Sequence, residues 1–148
     1  MKIAVTFSTL SGNTALVAND LIEYLENKGH ETKLFDAMNV DADQLKEYEL
    51  VFFGSSTYGD GELNPITEIF LSTADQKNHN CNNTHFAFFS LGDSSYPIFS
   101  SSGTLSSERI AKMHGNIIEP ILQIDGYPNQ DTFQKCKQWA ETILDQMK

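Results

Sequence analysis

The sequence predicts an α/β fold: a doubly wound parallel sheet of five strands with helices on both faces. Two observations carry this. Short apolar runs alternate along the chain with segments of helical spacing, the order that parallel strands joined by helical crossovers require. Two of the runs, at residues 50–55 (LVFFGS) and 85–91 (HFAFFSL), are nearly continuous in apolar character, as in strands covered on both faces. No repeat and no linker divides residues 1–148, so a single domain is expected.

The elements follow in order. Residues 2–7 read as the first strand. Residues 12–28 place Leu16, Val17, Leu21, Tyr24 and Leu25 at helical spacing, and Gly29 ends that helix. A second strand is expected at 32–35 and a short helical turn at 43–48. After the third strand at 50–55, residues 65–73 predict a helix with Pro65 in its first turn, where a missing N–H is tolerated. The polar stretch 76–84 reads as a loop. A fourth strand at 85–91 and a helix at 104–114 come next. Residues 116–124 predict the fifth strand, in which Pro120 removes a ladder donor and demands an edge position or a bulge. The closing helix at 132–147 is amphipathic, with Phe133, Cys136, Ala140, Ile143, Leu144 and Met147 on one stripe.

Composition excludes several classes of function. Ten basic against twenty acidic residues give a net charge of −10, a field that repels nucleic acid and anionic membrane surfaces alike. The same charge either steers the protein to a basic protein partner or serves solubility alone. No apolar run approaches the roughly 20 residues of a membrane span. The chain enters a strand pattern at once (MKIAVTF) without signal-peptide anatomy, so a cytoplasmic address is expected. Cys81 and Cys136 are far apart and outside any metal or redox spacing, which reads as two reduced thiols. His30, His79, His85 and His114 are scattered and read as surface or strand residues.

In a doubly wound sheet, ligands bind beyond the carboxyl ends of the strands. The loop after the first strand, residues 8–14, carries the hydroxyls of Ser8, Thr9, Ser11 and Thr14, the amide of Asn13 and the flexible Gly12, and it opens a helix. That is either a hydroxyl-rich helix cap or an anion cradle. It contains no Lys or Arg, and the chain's one arginine is Arg109. A phosphate monoester held by neutral donors fits. A triphosphate does not, because the GxxxxGK[ST] spacing and its lysine are absent, and GxGxxG is absent too. The loops after the third strand (Ser55-Ser56-Thr57-Tyr58-Gly59-Asp60-Gly61-Glu62) and the fourth (Leu91-Gly92-Asp93-Ser94-Ser95-Tyr96-Pro97-Ile98-Phe99) each present a tyrosine at a strand end. Two such tyrosines could sandwich a planar heteroaromatic ring.

Taken together, SxxSGNT, STYGDGEL and LGDSSYxxF, in this order after the first, third and fourth strands, resemble the three FMN loops of flavodoxins and of the FMN modules of diflavin reductases. The resemblance covers the whole chain. An uninterrupted fifth strand is similar to the short-chain form of the family. It implies strand order 2-1-3-4-5 and a bound FMN. By this resemblance, Thr9, Leu10, Ser11, Gly12, Asn13 and Thr14 hold the phosphate, while Ser56 and Thr57 meet the ribityl and phosphate side. Tyr58 and Tyr96 flank the ring, and Gly59 and Asp60 lie near flavin N5. Leu91, Gly92, Asp93 and Ser100 cover the pyrimidine edge, with Phe99 packing beneath. Two positions depart from relatives: Leu10 stands where many carry a hydroxyl residue, and Tyr58 where several short-chain members carry tryptophan.

The implied function is a low-potential one-electron carrier, not an enzyme. Asp60, Glu62 and Asp93 in the ring loops, with no basic side chain among them, disfavour the anion that full flavin reduction creates. A chain ending at Lys148 leaves no second half for FAD or NADPH, so a basic reductase, such as a flavodoxin/ferredoxin reductase, and acceptor redox enzymes are expected as partners of a monomer. The alternative is a flavodoxin-like flavin enzyme such as an NAD(P)H:quinone reductase, although no extra substrate loops are evident. A phospho-receiver lacks its acidic pair here, and a low-molecular-weight phosphatase lacks the cysteine and arginine of its first loop.

Overall fold

The computed structural model describes residues 1–9, 11–58, 61–95 and 101–148. Its strands are β1 (Lys2–Ser8), β2 (Glu31–Asp36), β3 (Leu50–Tyr58), β4 (Glu62–Leu63), β5 (His85–Gly92), β6 (Asn116–Ile117) and β7 (Leu122–Asp125). Its helices are α1 (Asn13–Asn27), α2 (Ala42–Leu45), α3 (Pro65–Gln76), α4 (Ser102–Lys112) and α5 (Gln130–Gln146), with one 3₁₀ turn at Ala37–Asn39. The sheet runs β2-β1-β3-β5, and β5 pairs on its far side with β6 and then β7. These pairings are parallel; the two-residue β4 folds back antiparallel on the end of β3. With β6 and β7 taken as one interrupted strand, this is the expected 2-1-3-4-5 order.

The period-2 alternation of the central strands splits the core into two layers. Ile3, Val5, Phe52, Ala87 and Phe89 face α1 and α5, where Val17, Leu21, Leu25, Trp139, Ala140 and Ile143 complete one cluster. Ala4, Val51, Phe53, Phe86 and Phe88 face α3 and α4, with Phe70, Leu71 and Ile110. The Phe89 ring of β5 lies across Gly54 of β3, where a Cβ would stand 2.1 Å from Phe89 Cζ, so glycine there makes room for the ring.

The fifth strand departs from its expected continuous run. Pro120 has no N–H to give, and the chain leaves the ladder between Ile117 and Leu122. Helix α5 takes over the carbonyls left behind: Trp139 Nε1 donates to Pro120 O at 2.7 Å and Gln146 Nε2 to Glu119 O at 2.7 Å. Helix ends also move. The third helix runs on to Gln76, the fourth spans Ser102–Lys112 and the fifth starts at Gln130, where Asn129 caps it. The short turn falls at Ala42–Leu45, set by the capping box of Asp41 and Gln44. Leu16, placed on the apolar stripe of α1, is 47% exposed; Ala18 occupies the core side instead.

Candidate functional site

The carboxyl ends of β1, β3 and β5 lie side by side, with Ser8 paired to Ser55 and Ser56 to Leu91. A buried polar network fixes two of these ends. Asn64, the N-cap of α3, accepts from Ser8 Oγ at 2.7 Å and from the Thr67 amide at 2.9 Å. Its Nδ2 donates to Ser56 Oγ at 3.0 Å and Ser56 O at 3.2 Å. Ser102, at the start of α4, donates from Oγ to Ser55 O at 3.0 Å and from its amide to Thr57 Oγ1 at 3.1 Å. One asparagine and one serine thus hold the end of β3 between two helices.

The β1 loop turns into α1 at Gly12, whose φ of +91° is a left-handed conformation that suits glycine. The Gly12 amide donates to Thr9 Oγ1 at 2.8 Å, which closes the turn. Helix α1 has no side-chain cap and no acidic residue in its first turn, whereas Asn64 and Asn129 cap α3 and α5. Its first amides and its positive dipole end are therefore open to an anion. Thr14, in the same turn, is fully buried, and its hydroxyl has no partner among the described residues.

A cavity of about 310 Å³ runs from this helix end to the ends of β3, β5 and β7. Ser11, Asn13, Thr14, Ser56, Thr57, Leu91, Gly92, Asp93, Gly126 and Tyr127 line it. The volume is that of a small-ligand cleft, and no Lys or Arg is among its lining residues. Asp93 stands exposed at the rim; hydrogen bonds from the Ser95 hydroxyl and amide hold its carboxyl below the ordinary aspartate range, so it is charged at neutral pH. Asp125 clamps the neighbouring turn, accepting from the Ser94 amide at 2.9 Å and the Ser94 hydroxyl at 2.6 Å.

Eight residues expected at the site from the sequence meet in this one cavity: Ser11, Asn13, Thr14, Ser56, Thr57, Leu91, Gly92 and Asp93. Thr9 and Gly12 shape the turn behind it without lining it. Tyr58 ends β3 at 53% exposure, also outside the lining. Leu10, Gly59, Asp60, Tyr96, Phe99 and Ser100 lie outside the described residues. Sequence reasoning missed the loop after β7, which brings Gly126 and Tyr127 to the cavity, and it missed Asn64 and Ser102 behind it. The signal for the first was present: Asp125-Gly126-Tyr127-Pro128 is another aromatic in a turn at a strand end. None of the four histidines lines the cavity, and no metal-binding cluster occurs among the described residues.

Comparison with known proteins agrees with this geometry. The family model for flavodoxin matches residues 5–139. The flavodoxin of Maridesulfovibrio salexigens is 29% identical over 148 residues, 99% of each chain. The structure of oxidised flavodoxin 2 from Bacillus cereus superposes with a TM-score of 0.90 at 28% identity, covering 99% of both chains. The sulfite reductase [NADPH] flavoprotein alpha-component of Buchnera aphidicola (subsp. Acyrthosiphon pisum) is 27% identical over 143 residues, 96% of this chain but 23% of that one. The chain belongs to the flavodoxin family. Its function is that of an FMN-binding electron carrier, and the quinone reductase alternative is not favoured.

The residues present fit FMN. An uncapped helix start with an orphaned, buried hydroxyl offers what a phosphate monoester accepts. The cavity continues from it toward the strand ends with polar edges at Ser56, Thr57 and Asp93.

Proposed function

We propose that this flavodoxin holds FMN with its phosphate at the start of α1 and its ribityl chain and ring along the ends of β3 and β5. The carrying observation is the buried Thr14 hydroxyl, unpartnered among the described residues, at the one end of the cavity where a helix presents free amides. Ser11, Asn13 and Thr14 serve the phosphate with neutral donors and Ser56 and Thr57 the ribityl side. Leu91, Gly92 and Asp93 border the pyrimidine edge. Thr9 and Gly12 act behind them by fixing the turn. Residues 1–148 work as one FMN-binding unit.

The bound FMN supplies one-electron redox chemistry; the chain's part is to bind it, orient it and set the field around it. Asp93 is charged at the rim, and Asp125 holds the adjoining turn, so negative charge faces the cofactor without a compensating lining cation. That field disfavours further negative charge in the site, which favours a low potential. The protein acts as a monomeric carrier with no catalysis of its own. Its partners are a reductase and acceptor enzymes, and a net charge of −10 favours partners with a basic docking face. A cytoplasmic setting suits its two buried, unpaired cysteines, and among the described residues no helix is long and apolar enough to cross a membrane.

The test is a titration of the apoprotein with FMN and with riboflavin, which lacks the phosphate. FMN binds with one-to-one stoichiometry. Thr14→Val removes a hydrogen bond to a charged group and weakens FMN by about 10- to 100-fold. Riboflavin affinity stays within about twofold. Equal FMN affinity in the parent and Thr14→Val would refute the phosphate assignment.

A further inference from the structure

The loop after β7 is built more firmly than a surface turn needs to be. The Gly126 amide donates to Gly92 O at 2.8 Å. One residue earlier, the Asp125 carboxylate takes both the amide and the hydroxyl of Ser94. One residue after Tyr127, Pro128 is buried. Gly126 itself adopts φ +72°, the left-handed turn that reverses the chain between these anchors. The backbone of Tyr127 is thus tied on both sides to the β5 end and to the body of the protein.

The side chain does the opposite. Tyr127 is 73% exposed, higher than any other large hydrophobic side chain among the described residues, although it lines the cavity together with Gly92 and Asp93. A fixed backbone that presents an aromatic ring to the cavity, and not to the core, offers that ring to a ligand. A tyrosine ring gains from covering apolar or aromatic ligand surface while its hydroxyl stays in water.

We propose that Tyr127 is a cofactor-contacting residue that covers the non-phosphate part of FMN, making the Asp125–Pro128 turn a fourth binding segment beside the three strand-end loops. The inference rests on FMN occupying this cavity. The phosphate end is built by Ser11, Asn13 and Thr14, whereas the Tyr127 turn is bonded to the β5 turn through Gly126 to Gly92 and Asp125 to Ser94. Its contact therefore falls on the ribityl chain and the ring, which FMN and riboflavin have in common.

The same titration with FMN and riboflavin tests this on Tyr127→Ala and Tyr127→Phe, with the thermal midpoint of each apoprotein measured alongside. Tyr127→Ala weakens both ligands by a similar factor, about 5- to 20-fold, and Tyr127→Phe retains both affinities within about twofold. The apoprotein midpoints do not move, since the ring is exposed before the cofactor enters. Unchanged affinities in Tyr127→Ala would overturn the proposal, and so would a loss confined to FMN, which would put Tyr127 on the phosphate. If the parent apoprotein takes up neither ligand, the reading of the cavity itself falls, and this inference with it.

Discussion

Single residues in this chain are placed by different kinds of constraint. Thr14 and Asp93 stand in short local patterns, a hydroxyl-rich helix start and a polar turn at a strand end, and both line the cavity. Tyr127 carries the same kind of signal, an aromatic in a turn at a strand end, but it follows the interrupted edge strand, whose end no continuous apolar run marks. Asp20 shows how burial alone can set a residue's role. It sits half-buried on α1, one carboxylate oxygen has no partner among the described residues, and burial pushes its pKa above the ordinary value, with Lys137 opposing. In the folded protein it holds its proton more tightly than in the unfolded chain, so its ionisation at neutral pH costs stability. That cost vanishes as pH falls below both values. Asp20→Asn is therefore expected to raise the urea midpoint at pH 7. The gain should shrink steadily as the pH is lowered through the carboxylate range. A gain that persists at pH 3 would contradict this account of Asp20. Nearby Cys136 is no redox candidate: burial pushes its thiol up to about 12.

Among the elements, the strands were readable because burial on both faces imposes long apolar runs, and β1, β3 and β5 fall close to where those runs stand. The edge was not. The fifth strand breaks into β6 and β7 because Pro120 cannot join the ladder, and its carbonyl is satisfied instead by Trp139 on α5, nineteen positions along the chain. The site's support was hidden for a related reason. Asn64 reads locally as a helix cap, which it is, but its bond to Ser8 spans 56 positions, and no local pattern reports such a partner. Replacing it with alanine removes the cap of α3 and leaves the buried Ser8 hydroxyl and the Ser56 end of β3 unpaired. The expected cost is about 2–4 kcal/mol in chemical denaturation. FMN affinity should fall as well, because Ser56 loses its fixed position. A variant as stable as the parent would mean that the network does not hold the strand ends.

For the whole molecule, the doubly wound sheet brings three strand ends and one uncapped helix to a single cavity, and two core layers pack the sheet from both faces. The doubly wound fold class followed from alternation of runs, and the strand order from the family resemblance of the three loops. The candidate cavity gathers residues of three loops that had to be read jointly, since each alone was compatible with an ordinary turn. The chain's acidity acts at this scale too: it carries ten more acidic than basic residues, and full reduction of the cofactor adds further negative charge. The most direct test of the central claim, a one-electron FMN carrier in an acidic site, is anaerobic potentiometry of the FMN-loaded protein and of Asp93→Asn. The account predicts uptake of two electrons in two separate one-electron steps, the second at low potential, and a rise of that second potential in Asp93→Asn. Uptake of both electrons at one potential, or a second potential indifferent to Asp93, would contradict it.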